Sequence, residues 1–474
     1  MIIGEWKMQN ENPTDANDPS EVASPVLKLR IASILHPQCD ITPHFASLNL
    51  HYSLIILFFV NISIAAIAGG NLAFLATAVA EEPYRPEPGK FPLAEKAKPY
   101  TGELTFVDHA NRRGSLRIKG EGPFFEQAAT PFALLPYGMV RYHRAPADLR
   151  DIPLGTILHG RFYLPPEPAL SSVPTLRSSA FQIHFAENHA VLLEDEPSFC
   201  LREGLVWKLQ EVEWNNDRNN AQWLVVARRE PKDGDGGRGS AETMTVDAAT
   251  RIWRGRERLQ IQDLIDEGMW PEKGKKSLDD RAVLLGLRWK PTYGSRFWQH
   301  NGVFNRWHIG DIWLDEESID LATRQQTEEH KTLIRTRWMP ALVDEVDYGK
   351  SGQATVIATL FGGMDSSLYA DFQKGIRVHV SPAASNLKRG VGDHSNSQDP
   401  IDGPILDVRR LDEEPPPGSS GIQVRMKLGM VLEGFRAGGV VRIRPMNWPE
   451  PPVPREEYFR GIEDRFPHPD VFGK

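Results

Sequence analysis

Between Phe297 and Trp313 the chain concentrates side chains able to hold or transform a ligand: Phe297, Trp298, His300, Asn301, Phe304, Asn305, Trp307, His308, Asp311 and Trp313. Flat indole faces stack on the apolar faces of sugars while amides, imidazoles and carboxylates bond hydroxyls. Trp298, His300, Trp307, His308 and Trp313 are therefore a candidate saccharide-binding set. The same aromatic bodies could instead cement neighbouring modules to a following helix, and burial where modules meet is their commoner fate. A hydrolase with His300, His308 and Asp311 as its polar site is the alternative chemistry. Imidazole and carboxylate also suit zinc, but two histidines eight residues apart match no standard ligand spacing, so no metal is expected.

Other polar clusters read more plainly. Asp233-Gly-Asp235 resembles the start of a calcium loop, yet the sixth and twelfth positions are Arg238 and Met244 where glycine and glutamate are needed, which leaves a hairpin tip. Glu194-Asp195-Glu196 reads as a solvated acidic loop, although carboxylates buried together can do acid–base work. No G-x-S-x-G, H-E-x-x-H, P-loop or G-x-G-x-x-G occurs, so neither a catalytic residue nor a cofactor is expected.

The elements that would position these residues are mostly strands. Gly102–Asp108 and Gly114–Lys119 alternate apolar and polar residues around a glycine turn, as a hairpin does, and Pro131–Arg144 and Thr156–Tyr163 continue the pattern. Leu205–Trp214 and Gln222–Arg229 form a second hairpin pattern around the Asn-rich turn Asn215–Asn220. The order of hairpin, strand, short connector ending in glycine and further strand recurs, less completely, in two later stretches. One convincing helix is expected at about 315–338: Asp315, Glu316 and Glu317 suit its start, Arg335 and Arg337 its end, and Pro340 stops it. His330 on its apolar face reads as a packed core residue rather than a ligand.

The connectors Asp148-Leu149…Gly155, Asp263-Leu264…Gly268, Asp371-Phe372…Gly375 and Gly434-Phe435…Gly438 each precede a strand. In this the chain resembles exported bacterial proteins of undefined role built from OB-like small β-barrel repeats. The resemblance implies a mainly β fold: tandem OB-like small β-barrels or sandwiches, with the one longer helix between the second and third modules. The expected organisation is 1–80 an N-terminal extension with signal peptide or anchor and 81–100 a proline-rich spacer. Modules follow at 101–200 and 201–295, then an aromatic segment plus helix at 296–340, modules at 341–390 and 404–446, and a proline-rich tail at 447–474.

Residues 41–80 contain no Asp, Glu, Lys or Arg, and an apolar run from Leu54 ends in Ala76-Thr-Ala78-Val-Ala80 before Glu81. Small residues at Ala78 and Ala80 fit a signal peptidase, which predicts cleavage between Ala80 and Glu81; the uncleaved alternative is a membrane anchor. Some fifty residues precede the run, more than a signal peptide usually carries, which points to a start downstream of Met1 or a disordered tail. Lys28 and Arg30 upstream put the N-terminus in the cytoplasm on either reading.

Beyond residue 80, 52 of the 55 basic and 57 of the 63 acidic side chains remain, a net charge of −5 that argues against a nucleic-acid partner. Of two cysteines only Cys200 lies in that part, so it forms no internal disulfide and must rely on its cores. The sequence thus reads as an exported, periplasmic, cell-surface or secreted binding or interaction protein. Its expected partner is a polysaccharide or envelope protein, and any membrane contact runs through 54–80 alone. A purely structural envelope role is the third reading.

Overall fold

Three closed β-barrels follow one another along the chain. The computed structural model describes residues 83–109, 111–118, 129–174, 185–217, 220–232, 240–289, 307–382, 401–411, 414–429 and 435–448. The expected signal segment, with Ala78, Ala80 and Glu81, lies outside them, as do Trp298, His300 and the Asp233–Asp235 turn. No helix among the described residues is long and apolar enough to cross a membrane.

Barrel 1 contains β1 (Lys98–Asp108), β2 (Arg113–Ile118), β3 (Thr130–Tyr142), a short appended β4 (Ala145–Ala147), β5 (Ile157–Tyr163) and β6 (His189–Asp195). Strand β1 pairs with β2 and β5, β2 with β3, and β5 with β6, all antiparallel; β3 and β6 close the ring in parallel. Helix α1 (Glu196–Glu203) leads directly into barrel 2. That barrel contains β7 (Leu205–Asp217), β8 (Asn220–Pro231), β9 (Ala241–Val246), the appended β10 (Arg251–Arg254) and β11 (Glu257–Leu259), helix α2 (Ile261–Asp266), β12 (Lys275–Trp289) and β13 (Trp307–Trp313). Its ring runs β7-β8-β9-β13-β12, with the single parallel pair His308 and Thr245 as its seam. Counting only ring strands, both barrels have the order 1-2-3-5-4 with 3 and 5 parallel, the connectivity of an OB-type barrel.

Helix α3 (Glu316–Arg337) follows, close to its expected span. The Asp315 carboxylate accepts from Ser318 N at 2.7 Å, satisfying one of the orphan donors of the first turn. Barrel 3 then comprises β14 (Met339–Tyr348), β15 (Ala354–Phe361), helix α4 (Ser366–Ala370), β16 (Arg377–Pro382), β17 (Ile401–Arg410), β18 (Ser419–Leu428) and β19 (Val440–Pro445). Its ring is β14-β15-β18-β17-β16-β19, antiparallel throughout.

Two expected boundaries change here. The stretches 341–390 and 404–446 are one barrel, because three strands apiece would leave two open edges, and pairing β15 with β18 and β16 with β17 and β19 removes them. The aromatic segment after 295 supplies β13, the strand that closes barrel 2. The recurring connector has one job throughout. Leu149, Leu264, Phe372 and Phe435 are all buried in a barrel core, and each precedes a glycine with positive φ (Gly155, Gly268, Gly375, Gly438), three of which turn the chain directly into the next strand, while residues 269–274 separate Gly268 from β12.

The barrels are fastened together by apolar and polar joints. Phe91 packs on Tyr137 of barrel 1 and Phe361 of barrel 3, at ring-centroid distances of 5.1 and 6.1 Å, and Tyr84 packs on Tyr163 at 6.0 Å. The stretch expected as a bare spacer therefore buries aromatic surface between two barrels. At the other end Trp448 enters the core of barrel 3 and donates to Asp371 at 2.7 Å. Helix α3 presents Ile319, Thr323, Gln326, His330 and Ile334 along one face at helical spacing. Thr323 donates to His143 O (2.8 Å) and Gln326 to Asp151 (3.0 Å) in barrel 1, while Ile334 joins the core of barrel 3.

Candidate functional site

Strand β13 carries three of the sequence-derived site residues, and all of them face protein. Trp307 is 5% exposed and sits in the core of barrel 2, with the Arg229 guanidinium 5.4 Å from its ring. His308, 6% exposed, shares a hydrogen bond of 3.1 Å between Nδ1 and Thr245 Oγ1 across the parallel seam, and its Nε2 lies 3.6 Å from Asp247. Trp313 packs with Leu284 and Ile319 and meets the His143 ring edge-on at 5.5 Å. It therefore ties barrel 2 to both barrel 1 and α3. The sugar-facing stripe is corrected accordingly: a strand that closes a small barrel turns one face inward, and here the neighbouring barrel and helix cover the other.

Asp311 is likewise engaged. Arg251 holds it in a fork with Nε and NH2 each 2.7 Å from a carboxylate oxygen, Trp253 Nε1 donates at 3.2 Å, and Arg288 lies at 3.7 Å. His308 and Asp311, proposed partners in a hydrolase site, thus serve separate structural contacts. Among the described residues no three His, Cys, Asp or Glu side chains converge as metal ligands.

The densest polar centre lies instead between barrels 1 and 2, built on the acidic triplet. Far from being solvated, Glu194, Asp195 and Glu196 are 1, 3 and 1% exposed. Glu196 opens α1, and its two oxygens accept from His159 Nε2 (2.7 Å), Arg229 Nε and NH2 (2.7 Å each), Trp207 Nε1 (2.9 Å) and the Cys200 thiol (3.2 Å). Arg229 also spreads over the Trp207 ring at 4.8 Å. Burial by itself would raise the Glu196 carboxyl, but Arg229 and His159 overcome it and hold the group well below the usual carboxylate range. Next to it, burial pushes Asp195 up to about 7 against hydrogen bonds from Ser198 and the His143 backbone. Burial first, then the Glu196 charge, pushes the Cys200 thiol well up, so it stays protonated and is a poor nucleophile. Such a centre locks two barrels in register and has no free oxygen on Glu196 to offer a substrate.

A different aromatic pair stands at the end of the β7–β8 hairpin. Trp214 and Trp223 face each other across the strands with ring centroids 4.4 Å apart, and both are half-buried. The register that pairs Asp217 with Asn220 sets Trp214 opposite Trp223, so the hairpin runs further than the turn expected at Asn215–Asn220. Trp223 Nε1 donates to Pro271 O at 3.4 Å, which anchors one ring of the pair.

No protein-family model matches the chain, and no curated protein matches its sequence.

Proposed function

We propose that this chain is an exported, non-enzymatic, β-rich binding or interaction protein of the cell envelope, with a saccharide as its ligand class. The observation that carries the reading is the half-buried Trp214–Trp223 pair at the hairpin joining the first two strands of an OB-type barrel. In that fold the connections between strands 1 and 2 and between strands 4 and 5 hold oligosaccharides or oligonucleotides. The second of these connections is the stretch from 290 to 306, which carries Trp298 and His300. Net negative charge favours the neutral sugar over the polyanion.

Two further points support the proposal. Glu196 and Cys200, buried at the junction of barrels 1 and 2, are committed to internal partners, with Glu196 held ionised and Cys200 held protonated. Export rests on the charge-free stretch 41–80 and its Ala78-x-Ala80 ending, in keeping with the resemblance to exported OB-like repeat proteins.

Titrating cell-wall polysaccharides against wild type, Trp214→Ala and Trp298→Ala tests it. Each variant is expected to bind about tenfold more weakly, a loss of about 1.4 kcal/mol. Trp307→Ala serves as the contrast, since emptying a core site should cost roughly 3 to 5 kcal/mol of stability. Affinity equal to wild type in folded Trp214→Ala and Trp298→Ala, or no binding by wild type, overturns the proposal.

A further inference from the structure

The outer face of barrel 3 along β14, β15 and β18 sorts its charge into columns. Strand β15 turns Val356, Ala358 and Leu360 into the core, so Thr355 and Ile357 point outward. Register then fixes what flanks them. Thr355 lies between Asp347 on β14 and Lys427 on β18, and Ile357 lies between Glu345 and Arg425. All four charged residues are exposed, while Thr355 and Ile357 are half-buried. Acids therefore fill one side of a neutral strip and bases the other. The two columns are two strand spacings apart, about 10 Å. Among the described residues none of the four charged side chains enters an ion pair.

The charges beside this strip are already matched. Asp344, displaced by the bulge in β14, accepts from Thr359 and Gln423 at 2.8 Å each, and Asp407, opposite Arg425 on β17, takes the Arg409 guanidinium at 2.8 Å. What is left over is self-complementary. A two-fold axis lying in the face along β15 carries the acidic column of one copy onto the basic column of another and keeps the order along the strand. Glu345 then meets Arg425 of a second copy, Asp347 meets Lys427, and Ile357, on the axis, meets its own counterpart. An axis across the strands would instead set acid on acid, which repels. Two convex barrels touch along a strip and diverge beside it, and the long Glu, Arg and Lys side chains reach across that gap.

We propose that two copies of this chain associate through β14, β15 and β18 of barrel 3, in an isologous contact that pairs Glu345 with Arg425 and Asp347 with Lys427 about Ile357. Such a strip is narrower than the about 800 Å² per partner of a standard interface, so the association is weak, reversible and opposed by salt. It uses barrel 3 alone and stands independently of the saccharide reading. A dimer carries two Trp214–Trp223 pairs, which raises avidity for a repeating polymer.

The test uses the full chain. Sedimentation velocity at about 100 μM protein compares about 20 mM with about 500 mM salt, and dimer is expected at the lower salt and monomer at the higher. Glu345→Arg makes the central row basic at both ends, and Arg425→Glu makes it acidic at both, so each variant alone should associate at least tenfold more weakly. Mixed in equal amounts, the two should associate again, because every central pairing across the axis is then attractive. Both positions are exposed, so the fold survives either change. Association through the apolar stretch 54–80 would ignore these charges, and Trp214→Ala should leave the dimer unchanged. A wild type that stays monomeric at low salt, association undiminished in either variant, or a mixture that stays apart overturns the proposal.

Discussion

The junction of barrels 1 and 2 and the junction of barrels 1 and 3 solve the same problem in opposite ways. At the first, one buried carboxylate, Glu196, meets five donors from His159, Arg229, Trp207 and Cys200, so charge and hydrogen bonding both close. At the second, Arg112 and Arg442 have hydrogen bonds but little counter-charge. A buried ion pair resists the loss of either member because the survivor is left charged in a poorly solvating place. A cluster of like charges does the reverse, since losing a member relieves its neighbours. The first junction is locked by charge as well as by hydrogen bonds; the second rests on bonds from Arg112 and Arg442 to main-chain carbonyls.

The largest expected effect tests the lock. Glu196→Ala strands Arg229 and should cost roughly 3 to 5 kcal/mol in urea unfolding. A loss below about 1 kcal/mol would break the contrast.

Acid should act mainly on histidines, and one of these sits on the arginine side. Burial depresses His143, His189 and His330 to about 4, below their ordinary value of 6.5. The unfolded chain therefore takes up these protons first, and stability is lost as pH falls from about 7 towards 4. Asp195, raised to about 7, works in the opposite direction over much of that window, whereas Glu196 stays ionised throughout it. Burial dominates at His330, the charges of Asp148, Arg141, Arg150 and Asp365 act on it more weakly, and its Nδ1 has no hydrogen-bond partner. His330→Leu should therefore keep the fold and remove roughly 1 to 2 kcal/mol of the stability lost between pH 7 and 5, measured by thermal melts. An unchanged pH slope would place the acid sensitivity elsewhere.

The smallest effect sharpens the other half of the comparison. Arg442→Met loses two bonds to carbonyls but relieves the repulsion of Arg112 and Arg337, so its stability should lie within about 1 kcal/mol of wild type. Denaturation at low salt measures it; a loss like that of Glu196→Ala would show that the two junctions are equally closed.

Much of the architecture was legible in local pattern. Alternating strands, the capped helix α3 with its acidic start and basic end, and the Leu or Phe connectors ending in glycine all express short-range rules, and each appears where those rules put it. The buried triplet Glu194–Glu196 was read as solvated because its donors come from β5, β7 and β8, and no window around residue 195 contains His159 or Arg229. Trp307, His308 and Trp313 looked available for a ligand because composition alone does not tell which faces of a strand become covered. Trp214 and Trp223 were not legible as a pair, because a turn at Asn215–Asn220 sets Trp214 opposite Ala221, whereas the paired strands run on to Asp217 and Asn220.

By itself the sequence determined that this chain folds as β-rich units around one long helix, because hydrophobic period, caps and turn residues act over a few neighbours. Only the tertiary structure decided that six strands split between 341–390 and 404–446 make one barrel, and that 307–313 closes another. It also decided that acids are neutralised at one junction while arginines crowd at the next. Strand closure and charge compensation are long-range quantities, set by which distant residues share a dry or half-dry space, and that sharing is what folding supplies.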